Sequence, residues 1–382
     1  MKSTTTFLCL ILCAMVSSAG TDLILPAIPQ ITTTFNTVPE VSQRVLAAYV
    51  AGSACGLLLF SRLSDRFSRK VLLMSALFTF SLASMACAYA PDISVLILTR
   101  FLQGMAAAAA PVFIPGFIRE LFDDRRSVRA IGLLGSIQAL VPAAAPLLGS
   151  ILLSFFHWEV SFKLLAVLTI LAAGMVMLSG LPEQPRKSRS ASSFIQLILN
   201  PIYMRYALSQ ALTVSGLVTF VFGAPAVITL SMHGTINDFI IMQMINVGGY
   251  VIAANLSPGL AERYGAESII FLGTLLAMLS GCALTGYSLF EGADPIAVAV
   301  LFAPMGIALG LRGPLGFYRG IVASGDNNTR GAALMVLFTF TMTSLGSFVT
   351  AQFITHGLIT LAFCVMIMHL LSLLILVFLP KI

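Results

Sequence analysis

Twelve runs of about 20 apolar residues follow one another along the chain, separated by short polar breaks. They fall at about 6–28, 44–63, 71–90, 93–117, 130–154, 160–181, 205–230, 239–260, 268–290, 295–318, 331–355 and 358–379. A helix rises about 1.5 Å per residue, so each run spans about the 30 Å of a bilayer's hydrocarbon core. In hydrocarbon every backbone polar group must be satisfied within the segment, which selects helices. Composition agrees: 58% of residues are hydrophobic and 9% charged, where a soluble domain carries roughly a quarter charged. The mean hydropathy is +0.98. The expectation is an all-α integral membrane protein of twelve transmembrane helices.

The N-terminus has two readings. Lys2, the apolar stretch Phe7–Val16 and Ser17-Ser18-Ala19-Gly20 have the pattern of a signal peptide. The apolar character resumes at Leu23-Ile24-Leu25, which favours an uncleaved first helix. With the N-terminus placed inside, Arg62, Arg66, Arg69, Lys70, Arg119, Arg125, Arg126, Arg129, Arg186, Lys187 and Arg263 share one face, while Arg44 and Lys163 lie on the other. By the positive-inside rule both termini are cytoplasmic. The basic polar stretch Pro182–Arg189 parts two sets of six helices, predicting bundles at 1–181 and 205–382 joined by a cytoplasmic linker at 182–204. Two such halves suggest a duplicated transporter fold with its site at their interface. The sequences of the halves repeat only faintly: the loop Arg62–Lys70 has a weak counterpart in Ala261-Glu262-Arg263-Tyr264-Gly265.

Several function classes drop out. The net charge of +6 does not mark a nucleic-acid binder, because the basic residues sit between apolar runs rather than on one polar face. The six cysteines and four histidines are scattered without metal-ligand spacing, so no metal is expected. A membrane enzyme needs clustered catalytic groups at membrane depth, and none is expected here. No phosphate-binding Gly-x-x-x-x-Gly-Lys-Ser/Thr loop occurs, which removes ATP as the energy source within this chain.

Charge inside lipid is costly and therefore a functional pointer. Asp22 is the one acid well within a span. It lies about seven residues, roughly 10 Å, from the outer end of the first helix, and Arg100 lies at similar depth in the fourth. A direct or water-mediated Asp22–Arg100 pair is expected, with Asp22 as a protonation switch. Arg312, about six residues from the inner end of the tenth span, either snorkels to the headgroups or faces a central cavity and attracts an anionic substrate group. Asn246, Asn255, Ser215 and Thr219 are embedded polar groups that either touch substrate or bond to a neighbouring helix or their own backbone.

The segment from Gly56 through Arg62-Leu-Ser-Asp65-Arg66-Phe-Ser68-Arg69-Lys70 resembles the signature loop of the major facilitator superfamily. That resemblance makes Gly56, Asp65, Arg66, Arg69 and Lys70 an inner gate latch, with Ser68 standing where the family usually has glycine. Arg100, Gln103 and Gly104 look like the fourth-helix motif of the drug:proton antiporters. Pro142, Pro146 and Gly149 look like their fifth-helix motif, with Ser150 in place of its second glycine. Thr21-Asp22-Leu23-Ile24-Leu25-Pro26-Ala27 resembles the bicyclomycin-resistance (Bcr/CflA) subfamily, which usually has tyrosine at the position of Ile24. Gly223-Ala224-Pro225 and Leu181-Pro182-Glu183 fit as well.

The resemblance implies two six-helix bundles that alternate access to a central site, with small molecules such as drugs exported against proton entry through the bacterial inner membrane. It implies no cofactor beyond the proton gradient, a monomer in the bilayer, and protons and a small-molecule substrate as partners. A dedicated exporter of an endogenous metabolite such as a siderophore, and a proton-coupled nutrient importer, share the same architecture.

Overall fold

A computed structural model of the chain describes residues 2–64, 66–122, 124–179, 181, 194–325 and 328–381. Among these residues all regular structure is helical. The helices are α1 (Lys2–Asp22), α2 (Ile28–Thr34), α3 (Pro39–Leu63), α4 (Arg69–Ala88), α5 (Ile93–Ala107), α6 (Ala109–Leu121), α7 (Asp124–Phe155), α8 (Glu159–Leu178), α9 (Phe194–Leu199), α10 (Pro201–Ala226), α11 (Ile236–Tyr264), α12 (Ala266–Leu289), α13 (Pro295–Ala323), α14 (Asn328–Gln352) and α15 (Leu358–Phe378). Eleven described helical runs are long and apolar enough to cross a membrane. The expected fifth span falls on α7, whose described apolar part is Ala144–Phe155. Each expected span thus lies on helical structure, the first and fourth on two helices each. Asp65 and most of the linker, residues 182–193, lie outside the described residues.

Prolines set the interruptions. The first span runs from Thr6 to Thr34 but is not one regular helix. Pro26 has no N–H to give the carbonyl of Asp22, so α1 stops there and a 3-10 turn over Leu25–Ala27 leads into α2. In the fourth span Pro111 likewise denies a donor to Ala107, where α5 gives way to α6. The short turns that separate neighbouring spans are built by local devices. The Asp92 carboxylate accepts from Ser94 N (2.8 Å) and Val95 N (2.9 Å) to start α5. Gly265, at φ +84°, makes the one-residue corner between α11 and α12, in a region that disfavours any side chain.

The chain divides into two compact units. Unit 1 comprises Met1–Thr37 and Ala48–Ser190; unit 2 comprises Val38–Ala47 and Ala191–Ile382. Within unit 1, α1 packs on α6, α7 and α8, and α4 packs on α5 and α8. Within unit 2, α10 packs on α13, α14 and α15, and α12 packs on α13 and α15. The packing plan therefore repeats where the sequence scarcely does. Burial is arranged for a lipid solvent: Phe78, Leu82, Leu98, Leu178 and Phe378 are exposed, whereas Ser84, Gln103, Ser209 and Thr213 are buried. Packing in hydrocarbon relies on small residues and interhelical hydrogen bonds.

Candidate functional site

The end of α1 is where the sequence motifs of unit 1 converge. Below Pro26 the helical ladder is already disturbed, because Ile24 N turns to Thr21 O (3.0 Å). The Gly20 carbonyl is thereby deprived of its usual donor. Arg100, fully buried on α5, supplies one: its Nη1 donates to Gly20 O at 2.7 Å. A cation at a helix C-terminus also meets the negative end of the helix dipole. The same Nη1 donates to Gln103 Oε1 at 2.7 Å, and Gln103 Nε2 donates to Ser84 Oγ on α4 at 2.6 Å. The guanidinium lies 4.3 Å from the centroid of the Tyr49 ring on α3, and Tyr49 Oη donates to Ser17 O at 2.6 Å. One helix end is thus held from α3 and α5.

Helix α7 closes the clamp. A methyl group on Gly149 would collide with Leu23 O and lie 3.4 Å from Pro26 Cγ, so only glycine lets the two backbones pass. Pro146 is buried and Pro142 partly buried on the same helix. Gly104 plays the same part between α5 and α3, where a Cβ would strike Tyr49 O, and Gly56 abuts Met105 O.

Asp22 occupies the last position of α1, partly buried, and makes no hydrogen bond or ion pair with a described residue. The direct Asp22–Arg100 pair expected from the sequence is not formed. Arg100 Nη1 is instead directed at the helix-end carbonyl two residues earlier and at Gln103, with the guanidinium over the face of Tyr49.

The gate loop is partly described. Arg69 pairs with Glu120 at the end of α6 and lies 5.3 Å over the Phe117 ring. Lys70 Nζ donates to Ser179 O (3.3 Å), the residue that ends α8. Arg66 is exposed. Ser68 sits at φ −59°, ψ 134°, an extended backbone open to any residue, so its substitution for glycine carries no strain.

Arg312 lies within the core of unit 2. Helix α13 runs on to Ala323, and the Arg312 side chain is turned onto α10 rather than toward that end. Neither is it open to a cavity, being fully buried. Its Nη1 donates to Ser209 O (2.6 Å) and to Thr213 Oγ1 on α10, and its Nη2 to Ser209 Oγ (3.2 Å). Ser372 on α15 donates to Ser209 O (2.9 Å), and fully buried His369 bonds through Nδ1 to Val365 O (2.7 Å). This core was legible in outline, since Ser209 and Thr213 stand four apart on one helix face. Tyr49 was also missed; with Gly52 and Gly56 it forms a stripe at helical spacing on α3. Asn246 is buried with its Oδ1 lacking a hydrogen-bond partner, as is Thr219 Oγ1. Asn255 bonds to its own Val251 O (2.8 Å) and Ser215 to Thr339 O (2.9 Å), the structural alternative for both.

Comparison with known proteins places this architecture. The sequence profile of the Major Facilitator Superfamily matches residues 10–351. The chain belongs to the major facilitator superfamily. It is therefore a multi-pass membrane transporter of a small molecule and not an enzyme. A bicyclomycin resistance protein homolog of Haemophilus influenzae is 26% identical over 312 residues, covering 79% of this chain and 78% of its own. The multidrug resistance protein MdtL of Salmonella typhi is 24% identical over 284 residues, covering 73% and 72%. Among solved structures, a D-xylose-proton symporter matches with TM-score 0.77 at 15% identity over 100% of this chain and 99% of that one. The nucleoside transporter NupG matches with TM-score 0.73 at 13% identity, covering 97% and 98%. At such identity the two structures share the fold alone. As a facilitator-superfamily member the chain has a clamp that joins three motif regions at one proline-broken helix end.

Proposed function

We propose that this transporter exports drug-like small molecules across the bacterial inner membrane in exchange for protons, by alternating access of its two bundles. The observation that carries the reading is Asp22: an embedded carboxylate without a hydrogen-bond or ion-pair partner among the described residues, at the break of the very helix end that Arg100 and Gly149 hold. A carboxylate in such surroundings is free to take and release a proton. The relatives named for bicyclomycin and multidrug resistance support drugs as the substrate class. The metabolite-exporter alternative leaned on Arg312 facing a cavity, and a fully enclosed Arg312 withdraws that support.

In this reading Asp22 is deprotonated when substrate binds from inside and reprotonated from outside. Arg100 acts on it through the end of α1 rather than by a direct ion pair. The energy is the proton gradient: each charge crossing gains about 2.3 kcal/mol per 100 mV. We place both termini in the cytoplasm and take the monomer as the working unit, with no cofactor.

The test is transport into inverted membrane vesicles under an imposed pH gradient, using a panel of dyes, antibiotics and siderophores. Gradient-driven accumulation by the wild type, abolished in Asp22→Asn, is the expected result. Unchanged accumulation in Asp22→Asn removes Asp22 from the coupling step. Transport indifferent to the gradient overturns antiport.

A further inference from the structure

Unit 2 carries a groove of about 650 Å³ at the end of its helices where the chain finishes. One wall is apolar, made by Leu260 of α11, Phe271 and Leu272 of α12, and Leu311 of α13. Phe271 and Leu272 are exposed on a membrane-crossing helix, like the other lipid-facing apolar side chains. The rim is polar, with Arg205, Glu267, Lys381 and the exposed ring of Tyr264.

The charges of that rim do not cancel. Glu267 is already satisfied: it accepts from Arg205 Nη2 at 2.9 Å and from Tyr206 Oη at 2.6 Å. Arg205 is 8% exposed, and its Nη1 is held by the carbonyls of Leu376 and Leu379. Its buried Nε has no hydrogen-bond partner. Lys381 is exposed and makes no ion pair with a described residue. Glu262 and Arg263, exposed chain neighbours of Tyr264, add no net charge. The exposed Lys381 ammonium therefore stands beside an apolar groove, while the Arg205 guanidinium is enclosed by Glu267 and the end of α15.

We propose that this groove binds an anionic phospholipid, its phosphate against Lys381 and one acyl chain along Leu260, Phe271 and Leu272. The position supports this, because helix ends with an exposed tyrosine and lysine lie where hydrocarbon gives way to headgroups. So does the charge: a basic pocket between helix ends attracts anionic lipid. A zwitterionic headgroup would bring its own ammonium against Lys381 and gain less.

The full-length protein, purified in detergent, is titrated with dioleoylphosphatidylglycerol or with dioleoylphosphatidylcholine, and retained lipid per chain is counted by native mass spectrometry. Wild type retains one phosphatidylglycerol about five-fold more tightly than phosphatidylcholine, the worth of one cation at the headgroup plane. Lys381→Glu erases that preference. Ser268→Trp, which fills the groove from an exposed position lining it, removes the retained lipid. Both sites are exposed, so neither change opens a cavity. Equal retention of the two lipids by wild type, or undiminished phosphatidylglycerol in both variants, overturns the proposal.

Discussion

Arg100 shows how a buried charge is made tolerable without a carboxylate. An ion stripped of water costs several kcal/mol even after relaxation. Arg100 offsets that with a helix-end carbonyl, the Gln103 amide oxygen and the Tyr49 ring. A planar fork with a stacking face is needed for this set, and lysine has neither. Arg100→Lys is therefore expected to lower stability by about 1–3 kcal/mol, the scale of losing hydrogen bonds to a charged group. The midpoint of thermal unfolding in detergent measures it, and gradient-driven transport should fall roughly tenfold with it if α1 must be held to work. An Arg100→Lys protein as stable and active as wild type would show that charge alone suffices at this position.

At the scale of elements, two devices position the site: prolines that interrupt α1 and the fourth span, and glycines that let helix backbones touch. Their effects are separable because some glycines touch nothing. A Cβ at Gly104 strikes Tyr49 O, whereas one at Gly174 on α8 meets nothing within 4 Å. Gly104→Val should push α3 from α5 and cost about 1–3 kcal/mol by overpacking. Gly174→Val should leave stability and transport near wild type. Thermal unfolding of the two variants side by side tests the close approach, and equal effects would refute it. Unit 2 repeats the device at Gly310, where a Cβ would strike Tyr250 O.

For the whole molecule, the repeated packing plan means two cores of separate composition. Unit 1 holds Arg100 with Gln103 and Tyr49; unit 2 holds Arg312 with Ser209, Thr213 and Ser372. Arg312→Met removes the guanidinium's bonds to α10, although Ser209 O keeps the Ser372 and Thr213 hydroxyls as donors, so a loss of about 1–3 kcal/mol in all is expected. Since local opening follows cooperative units, amide hydrogen exchange should quicken in α10, α13 and α15 and stay unchanged in α1 and α5. Exchange that quickens equally in α1 would show that the two cores do not act separately.

Sequence alone determined that the chain is helical and crosses a membrane repeatedly, and it predicted two sets of six helices and which charges fall within apolar runs. Those properties follow from the length of apolar runs and the cost of charge in hydrocarbon, and both are local. Tertiary structure alone decided what the embedded charges touch. Depth along a helix can be counted from Asp22 and Arg100, but rotation and approach cannot, and these sent Arg100 to Gly20 O instead of to Asp22. Arg312 turned on the same point. Its six-residue distance from a presumed helix end left snorkelling and a cavity-facing group equally open, while the facing polar pair on α10 enclosed it in the core of unit 2. Hydrogen-bond partners on other helices are set by packing, which in lipid depends on a few small residues rather than on the apolar pattern.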